Sequence, residues 1–409
     1  RRVLFRSVNA HGGPYFLEKD KGFLWLSERT GFRHLYRYSV DGKKVKALTQ
    51  GEWEVNPSLW EISLPIDEAK GRVFFNASKK SPLETQYYSV SLQGGNIQPI
   101  TNEPGAHDLT FSADRRFALD TFSSLAVPQR VQVVDAKGRT VRVLGGRAVE
   151  DYAPYRIQSP EIVELKSAGG LVFYGSLLKP FDFDPNKKYP VILHMYAGPG
   201  GRVVANQFGN PLDMAMVNRG FLLFRFDPRG TTHRGRAWIN AVHRNACDIP
   251  LQDLRFAVEY LKSLPYVAGD RIGIWGWSNG GYMTCCAMTK IPGVFRAGAA
   301  VAPVSDWRLY DTVYTERYMG LPDENAEGYK ASAPVNFTKQ LEGALLLAHG
   351  VSDDNVHIQN IYSLVDALIE ADKKYELYVY PQRDHGIGGN DRQYYLFQRI
   401  MEFFERELK

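Results

Sequence analysis

The stretch GIWGWSNGGYM, residues 273–283, constrains this chain more than any other. Arg271 to Trp275 reads as a short buried strand, and YMTCCAMTK from Tyr282 to Lys290 reads as the start of an apolar helix. Between them stands Ser278, with Gly276, Gly280 and Gly281 around it. Glycines let backbones approach closely and relieve crowding where a helix begins. A plain tight turn would satisfy the glycines alone. The strand and helix flanks favour a G-x-S-x-G elbow, which lifts a serine hydroxyl clear of a sheet.

The two halves of the chain follow different patterns. Residues 8 to about 150 read as strands and turns. The units HLYRYSVDGKKVKALTQG, TQYYSVSLQGGNIQPITNEP and RVQVVDAKGRTVRVLGG each hold a β-run, a glycine-bearing turn and a second β-run. Their turn glycines, Gly42, Gly94 and Gly138, are 52 and 44 residues apart, a spacing that fits propeller blades. A β-sandwich is the alternative. About three blades fit this length, fewer than the usual closed ring. From about residue 155, strand candidates alternate with helical stretches, as in a mostly parallel sheet. The strands are LVFYGSLLK, PVILHMYAG, GFLLFRFD, RIGIWGW, RAGAAVAPV, GALLLAHG and YELYVYP. Helices LQDLRFAVEYLKSL, NIYSLVDALIEADKK and RQYYLFQRIMEFFEREL complete the set. The expected fold class is α/β: an α/β-hydrolase catalytic domain over 153–409, preceded by a partial all-β propeller over 8–152.

Composition narrows the function classes. With 409 residues, 44% hydrophobic and 23% charged, the chain has the balance of an ordinary globular protein. A net charge of +5 with scattered basic residues gives no footprint for nucleic acid. No apolar run approaches the roughly 18 residues that span a bilayer. Cys247, Cys285 and Cys286 cannot build a disulfide framework, and the last two read as core packing. No metal or cofactor is implied: zinc spacing and a GxxxxGK loop are both missing from the sequence. The opening RRVLFRS resembles the read-through translation of a common sequencing adapter, so Arg1 to Ser7 stay outside the fold reasoning. An amino-terminally truncated chain is therefore expected.

A serine hydroxyl needs a base, and the base needs an orienting carboxylate. In this fold the chain order is serine, acid, histidine. Asp353 follows GALLLAHG, 75 residues after Ser278, and His385 follows YELYVYP another 32 residues on. The remaining histidines fit less well. His349 precedes the acid and His357 lies on the helix beyond it; His194, His233 and His243 precede the serine; His11, His34 and His107 lie in the β half. Gly386, Gly388 and Gly389 are expected to let the His385 loop approach the serine. Asp353 is favoured over Asp354 as nearer the strand end. The oxyanion donors would be the Asn279 N–H and the Tyr196 phenol, the HMYAGPGG loop having no HGGG arrangement. From position alone, Tyr196 reads equally well as a core aromatic.

These residues resemble the dipeptidyl peptidase IV branch of the prolyl oligopeptidase family, an eight-bladed propeller capping an α/β-hydrolase. The matching stretches are KYPVILHMYAGP, WGWSNGGYMT, VAPVSDWRLYDTVYTERYMGLP, HGVSDDNVH and DHGI, with GFRHLY, GEWEV and QYYSVS in the β half. The resemblance implies Ser278 as nucleophile, Asp353 as orienting acid, His385 as base and Tyr196 as oxyanion donor. It implies a pocket of Val304, Trp307, Tyr310, Tyr314 and Val356 for the residue before the scissile bond. Asn355 would hold a substrate carbonyl, and Phe32 and Arg33 would reach in from the propeller. Trp307, Tyr310 and Tyr314 also stand at three and four spacing, on one helical face. The implied partners are peptide substrates, with a homodimer admitted. The implied activity is removal of amino-terminal dipeptides after proline or alanine. The resemblance favours periplasm or secretion and leaves the cytoplasm open.

Two departures stand out. Asn279 occupies the place of the family's usual tyrosine, which removes one aromatic wall. The glutamate pair that holds a substrate's free amino terminus belongs to an earlier blade, outside this sequence. Rival readings are a tripeptidyl or acylaminoacyl peptidase, an esterase of short acyl esters, and an inactive hydrolase-fold binding protein.

Overall fold

The computed structural model describes residues 13–18, 21–57, 64–156 and 158–409. RRVLFRS and His11 lie outside them. The first half forms three four-stranded antiparallel sheets. The outer hairpins are Val45–Ala47 on His34–Tyr38, Gln98–Pro99 on Gln86–Ser91, and Thr140–Gly146 on Val127–Asp135. They carry the three turn glycines at φ +69°, +81° and +76°. Gly138 is further constrained, because a Cβ there would come 1.5 Å from the Ile100 carbonyl oxygen. Each sheet is one blade of a propeller region.

The second half is one eight-stranded sheet. Its strands are β1 (Glu161–Lys166), β2 (Val172–Leu178), β3 (Tyr189–His194), β4 (Leu222–Asp227), β5 (Val267–Trp277), β6 (Ala297–Val301), β7 (Ala344–Gly350) and β8 (Glu376–Tyr380). They lie in the order β1-β2-β4-β3-β5-β6-β7-β8. Only β2 runs against its neighbours; β4-β3-β5-β6-β7-β8 are parallel. The α-helices of seven residues or more are α1 (Pro211–Val217), α2 (Asp248–Ser263), α3 (Asn279–Lys290), α4 (Thr312–Met319), α5 (Gln359–Glu370) and α6 (Asn390–Leu408).

Strand side chains alternate between faces, so a doubly covered strand must be apolar on both. Val191 and Leu193 join the core with α2, α3 and α5, while Ile192 between them joins the core with α1 and α6. Cys247, Cys285 and Cys286 are buried in the first of these cores. No helix among the described residues is long and apolar enough to cross a membrane.

Hydrogen bonds tie the propeller region to the sheet domain. Thr232 donates to the Pro57 carbonyl, and Arg202 donates to the Pro82 carbonyl and to Thr85 Oγ1. The Arg236 N–H reaches the Gly31 carbonyl at 2.8 Å, and the Gly235 N–H reaches Glu54 Oε2 at 3.2 Å. Glu54 is fully buried. Burial pushes its pKa up to about 7, against the pull of Arg33. The protonated form is thus favoured on folding. Its contribution is complete below the ordinary value of 4.5 and is lost as pH rises through about 7. The difference is on the order of 3 kcal/mol. Glu54→Gln should flatten the fall in melting temperature across that window. Superimposable wild-type and variant melts at every pH would contradict it.

Candidate active site

Strand β5 ends at Trp277 and α3 begins at Asn279, so a single residue makes the turn. That residue, Ser278, has φ 59° and ψ −119°, outside the regions an L-residue prefers. Its side chain makes no capping hydrogen bond. The turn is possible because Gly276 and Gly280 lack side chains. A Cβ on Gly276 would lie 2.4 Å from the Gly280 carbonyl carbon, and one on Gly280 would lie 2.4 Å from the Met195 oxygen. The helix starts three residues earlier than the apolar run from Tyr282 suggests.

Tyr196 follows β3 and hydrogen-bonds to Ser278, while burial pushes its phenol above the ordinary value. The ring is braced by glycines: a Cβ on Gly198 or Gly201 would come within 2.5 or 2.7 Å of it. The Asn279 N–H opens α3, where the first helical N–H groups have no partner within the helix.

Asp353 lies beyond β7 and is 2% exposed, whereas Asp354 faces solvent. Its Oδ1 accepts the N–H groups of Asn355 at 3.0 Å and Val356 at 2.8 Å. Its Oδ2 lies 2.8 Å from His385 Nδ1. Burial works against the Asp353 charge. Hydrogen bonds from His349, His385 and the Val356 N–H outweigh it and hold the carboxyl well below the usual range.

The His385 loop is docked onto the elbow. The Trp277 indole donates to the His385 carbonyl at 2.9 Å. The glycines after His385 do not permit this approach. A Cβ on Gly386 or Gly388 would meet nothing nearer than 3.7 Å, but one on Gly350 would lie 2.4 Å from the Arg383 oxygen. The close contact is made from the acid's strand.

Trp307, Tyr310 and Tyr314 come together, though not on one helix. A 3-10 turn covers Trp307–Leu309, Tyr310 is extended, and α4 begins after the Asp311 cap. The Trp307 ring is 5.8 Å from those of Tyr310 and Tyr314, which are 5.5 Å from each other. Val304 and Val356 are buried nearby in the same core. Burial pushes the Tyr310 phenol up to about 12 and Tyr314 well above its ordinary value, with Tyr196 adding to both. The Tyr310 hydroxyl donates to Asn355 Oδ1 at 2.7 Å. Asn279, Trp307, Tyr314 and Tyr318 line one small cavity. Tyr318 was not anticipated, although its i, i+4 spacing from Tyr314 carries the signal; their rings are 4.7 Å apart.

Phe32 stands at the boundary between the two halves. Its ring packs on Gly235 at the domain boundary, where a Cβ would come within 2.7 Å. Gly235 has φ 81°, so the loop turns sharply and brings this ring against backbone. Arg33 is buried behind it, beside Glu54 and Tyr318.

An elbow serine after the central strand, and an imidazole held by a buried carboxylate after later strands, define the α/β-hydrolase class. Comparisons with known proteins narrow the class. Residues 209–409 match the family model described as prolyl oligopeptidase family, and residues 7–129 match that of the dipeptidyl peptidase IV amino-terminal region. The chain belongs to the prolyl oligopeptidase family of serine peptidases. A probable dipeptidyl peptidase 4 of Neosartorya fischeri is 33% identical over 98% of this chain and 53% of its own length. A probable dipeptidyl-aminopeptidase B of Metarhizium robertsii is 34% identical over 93% of this chain and 42% of its own. The crystal structure of Porphyromonas gingivalis dipeptidyl peptidase 4 superposes with a TM-score of 0.90 at 34% identity, covering 96% of this chain and 55% of that one. The chain thus spans about half the length of the curated relatives it matches.

Proposed function

We propose that this protein is a serine exopeptidase that releases amino-terminal dipeptides, preferring proline or alanine before the scissile bond. His385 takes the Ser278 proton as the hydroxyl attacks the carbonyl carbon. The Asn279 N–H and the Tyr196 phenol hold the developing oxyanion, each such donor being worth roughly 10²- to 10³-fold in rate. The C–N bond breaks as His385 hands its proton to the departing amine. Water then attacks the acyl-enzyme, with His385 again as base.

The observation that carries this reading is the docking of His385: its Nδ1 is 2.8 Å from Asp353, and its carbonyl takes the indole N–H of the residue before Ser278. Proline preference is supported by the tyrosine–tryptophan box, which offers a flat apolar surface to a ring with no N–H. The Asn355 amide, braced by Tyr310, faces the same region and suits a substrate carbonyl. Asn279 makes that box one aromatic smaller, so a relaxed tolerance for alanine is expected.

The test sets Gly-Pro-nitroanilide beside its acetylated analogue and a short acyl ester. Turnover of the free-amine substrate alone is expected. Equal turnover of the acetylated analogue would favour an acylaminoacyl peptidase, and turnover of the ester alone an esterase.

A further inference from the structure

His349 is the penultimate residue of β7 and is fully buried, four residues before the acid. Chain order alone sets it aside as a base. Its position gives it another task. Nε2 lies 2.8 Å from the Val356 carbonyl oxygen and 3.3 Å from Asp353 Oδ2. A carbonyl oxygen only accepts, so Nε2 must carry the hydrogen. Nδ1 is buried without a hydrogen-bond partner, so a second proton would create an unsatisfied buried donor. The ring is therefore neutral, with one N–H divided between the two acceptors.

We propose that His349 is a positioning residue for Asp353, donating from Nε2 to the carboxylate oxygen that holds His385. This rests on the catalytic roles assigned above. The Asp353 carboxylate then has no idle side: Oδ1 takes two backbone N–H groups, and Oδ2 takes two imidazole N–H groups. The Val356 carbonyl locks the His349 ring while the Val356 N–H holds the other oxygen, so one residue braces both. The arrangement leaves a single orientation in which Oδ2 faces His385.

A donor on Oδ2 also draws charge away from His385. Without it, Oδ2 would hold the imidazolium more tightly and raise the pH at which His385 becomes a base. Other titratable groups facing this pair among the described residues are Tyr310, whose phenol feels the Asp353 charge, and Tyr196 beyond it. Arg383 and Asp384 pack their backbone on Gly350, and Asp354 and His357 stand exposed beside the acid. None of these residues is itself altered in a His349 variant.

The test measures fluorophosphonate labelling of Ser278 against pH on the whole protein, with His349→Phe and His349→Gln. Phenylalanine keeps the ring volume without the donor; glutamine keeps an N–H donor. The Phe variant should label about tenfold more slowly, with its acid limb moved up by about half a pH unit. The Gln variant should return the limb to the wild-type position. If the Phe variant does not fold, His349→Met serves as the apolar replacement. A slower rate with an unmoved limb in the apolar variant would mean a packing role only and overturn the proposal. Wild-type protein that never labels would overturn the catalytic reading, and this inference with it.

Discussion

Ser278→Ala should end fluorophosphonate labelling and cut turnover by on the order of 10⁶-fold, with an unchanged fold. The size follows from the chemistry: Ser278 supplies the one hydroxyl of the Gly276–Gly280 turn, and the Tyr196 phenol beside it serves as oxyanion donor and not as nucleophile. The unchanged fold follows from the geometry. The Ser278 side chain makes no capping bond, so alanine loses no structural contact of that kind. What alanine keeps is the strain, because φ 59° and ψ −119° are imposed by the Gly276–Gly280 approach and not by the hydroxyl. Ser278→Gly, equally inactive, should therefore be more stable than Ser278→Ala by about 1 kcal/mol. Labelling that survives in Ser278→Ala would sink the assignment. Equal stability of the alanine and glycine variants would show that the turn is relaxed.

The elbow was legible because the glycines are dictated by backbone contacts, and backbone contacts leave a sequence signature. The parallel strands were legible because strands covered on both faces must be apolar throughout. Strand β1 escaped notice for the opposite reason. EIVELK lies at the sheet edge, with charged residues at both ends and Glu164 within, and only Leu165 is fully buried. Tyr310 misled in another way. Its spacing from Trp307 and Tyr314 suits one helix, but the Asp311 side chain accepts the Tyr314 N–H at 2.8 Å and starts a new helix instead. The rings still meet, because the break turns the chain within the same wall. Distance from the strand end favours Asp353 over Asp354 by a single residue only; burial separates the two plainly. His349 was invisible as a partner because its role depends on a contact across the loop, which chain order does not encode.

Asp353→Asn should lower kcat by about 10⁴-fold, while Asp354→Asn should stay within about twofold. The argument starts from Oδ1, which is pinned by the N–H groups of Asn355 and Val356. Only an oxygen can accept them, so an asparagine must place its carbonyl there. Its NH₂ group then faces His385 Nδ1 and His349 Nε2, at the 2.8 and 3.3 Å positions that Oδ2 holds. A donor facing Nδ1 forces His385 to accept there and to carry its hydrogen on Nε2. That tautomer cannot take a proton from Ser278. The His349 N–H meets the same wrong-signed group and keeps only the Val356 carbonyl. The loss should therefore appear in kcat and in labelling rate, with KM little changed, because the aromatic box and Asn355 are untouched. A loss below tenfold, or an equal loss in Asp354→Asn, would mean that His385 is oriented by something other than this carboxylate.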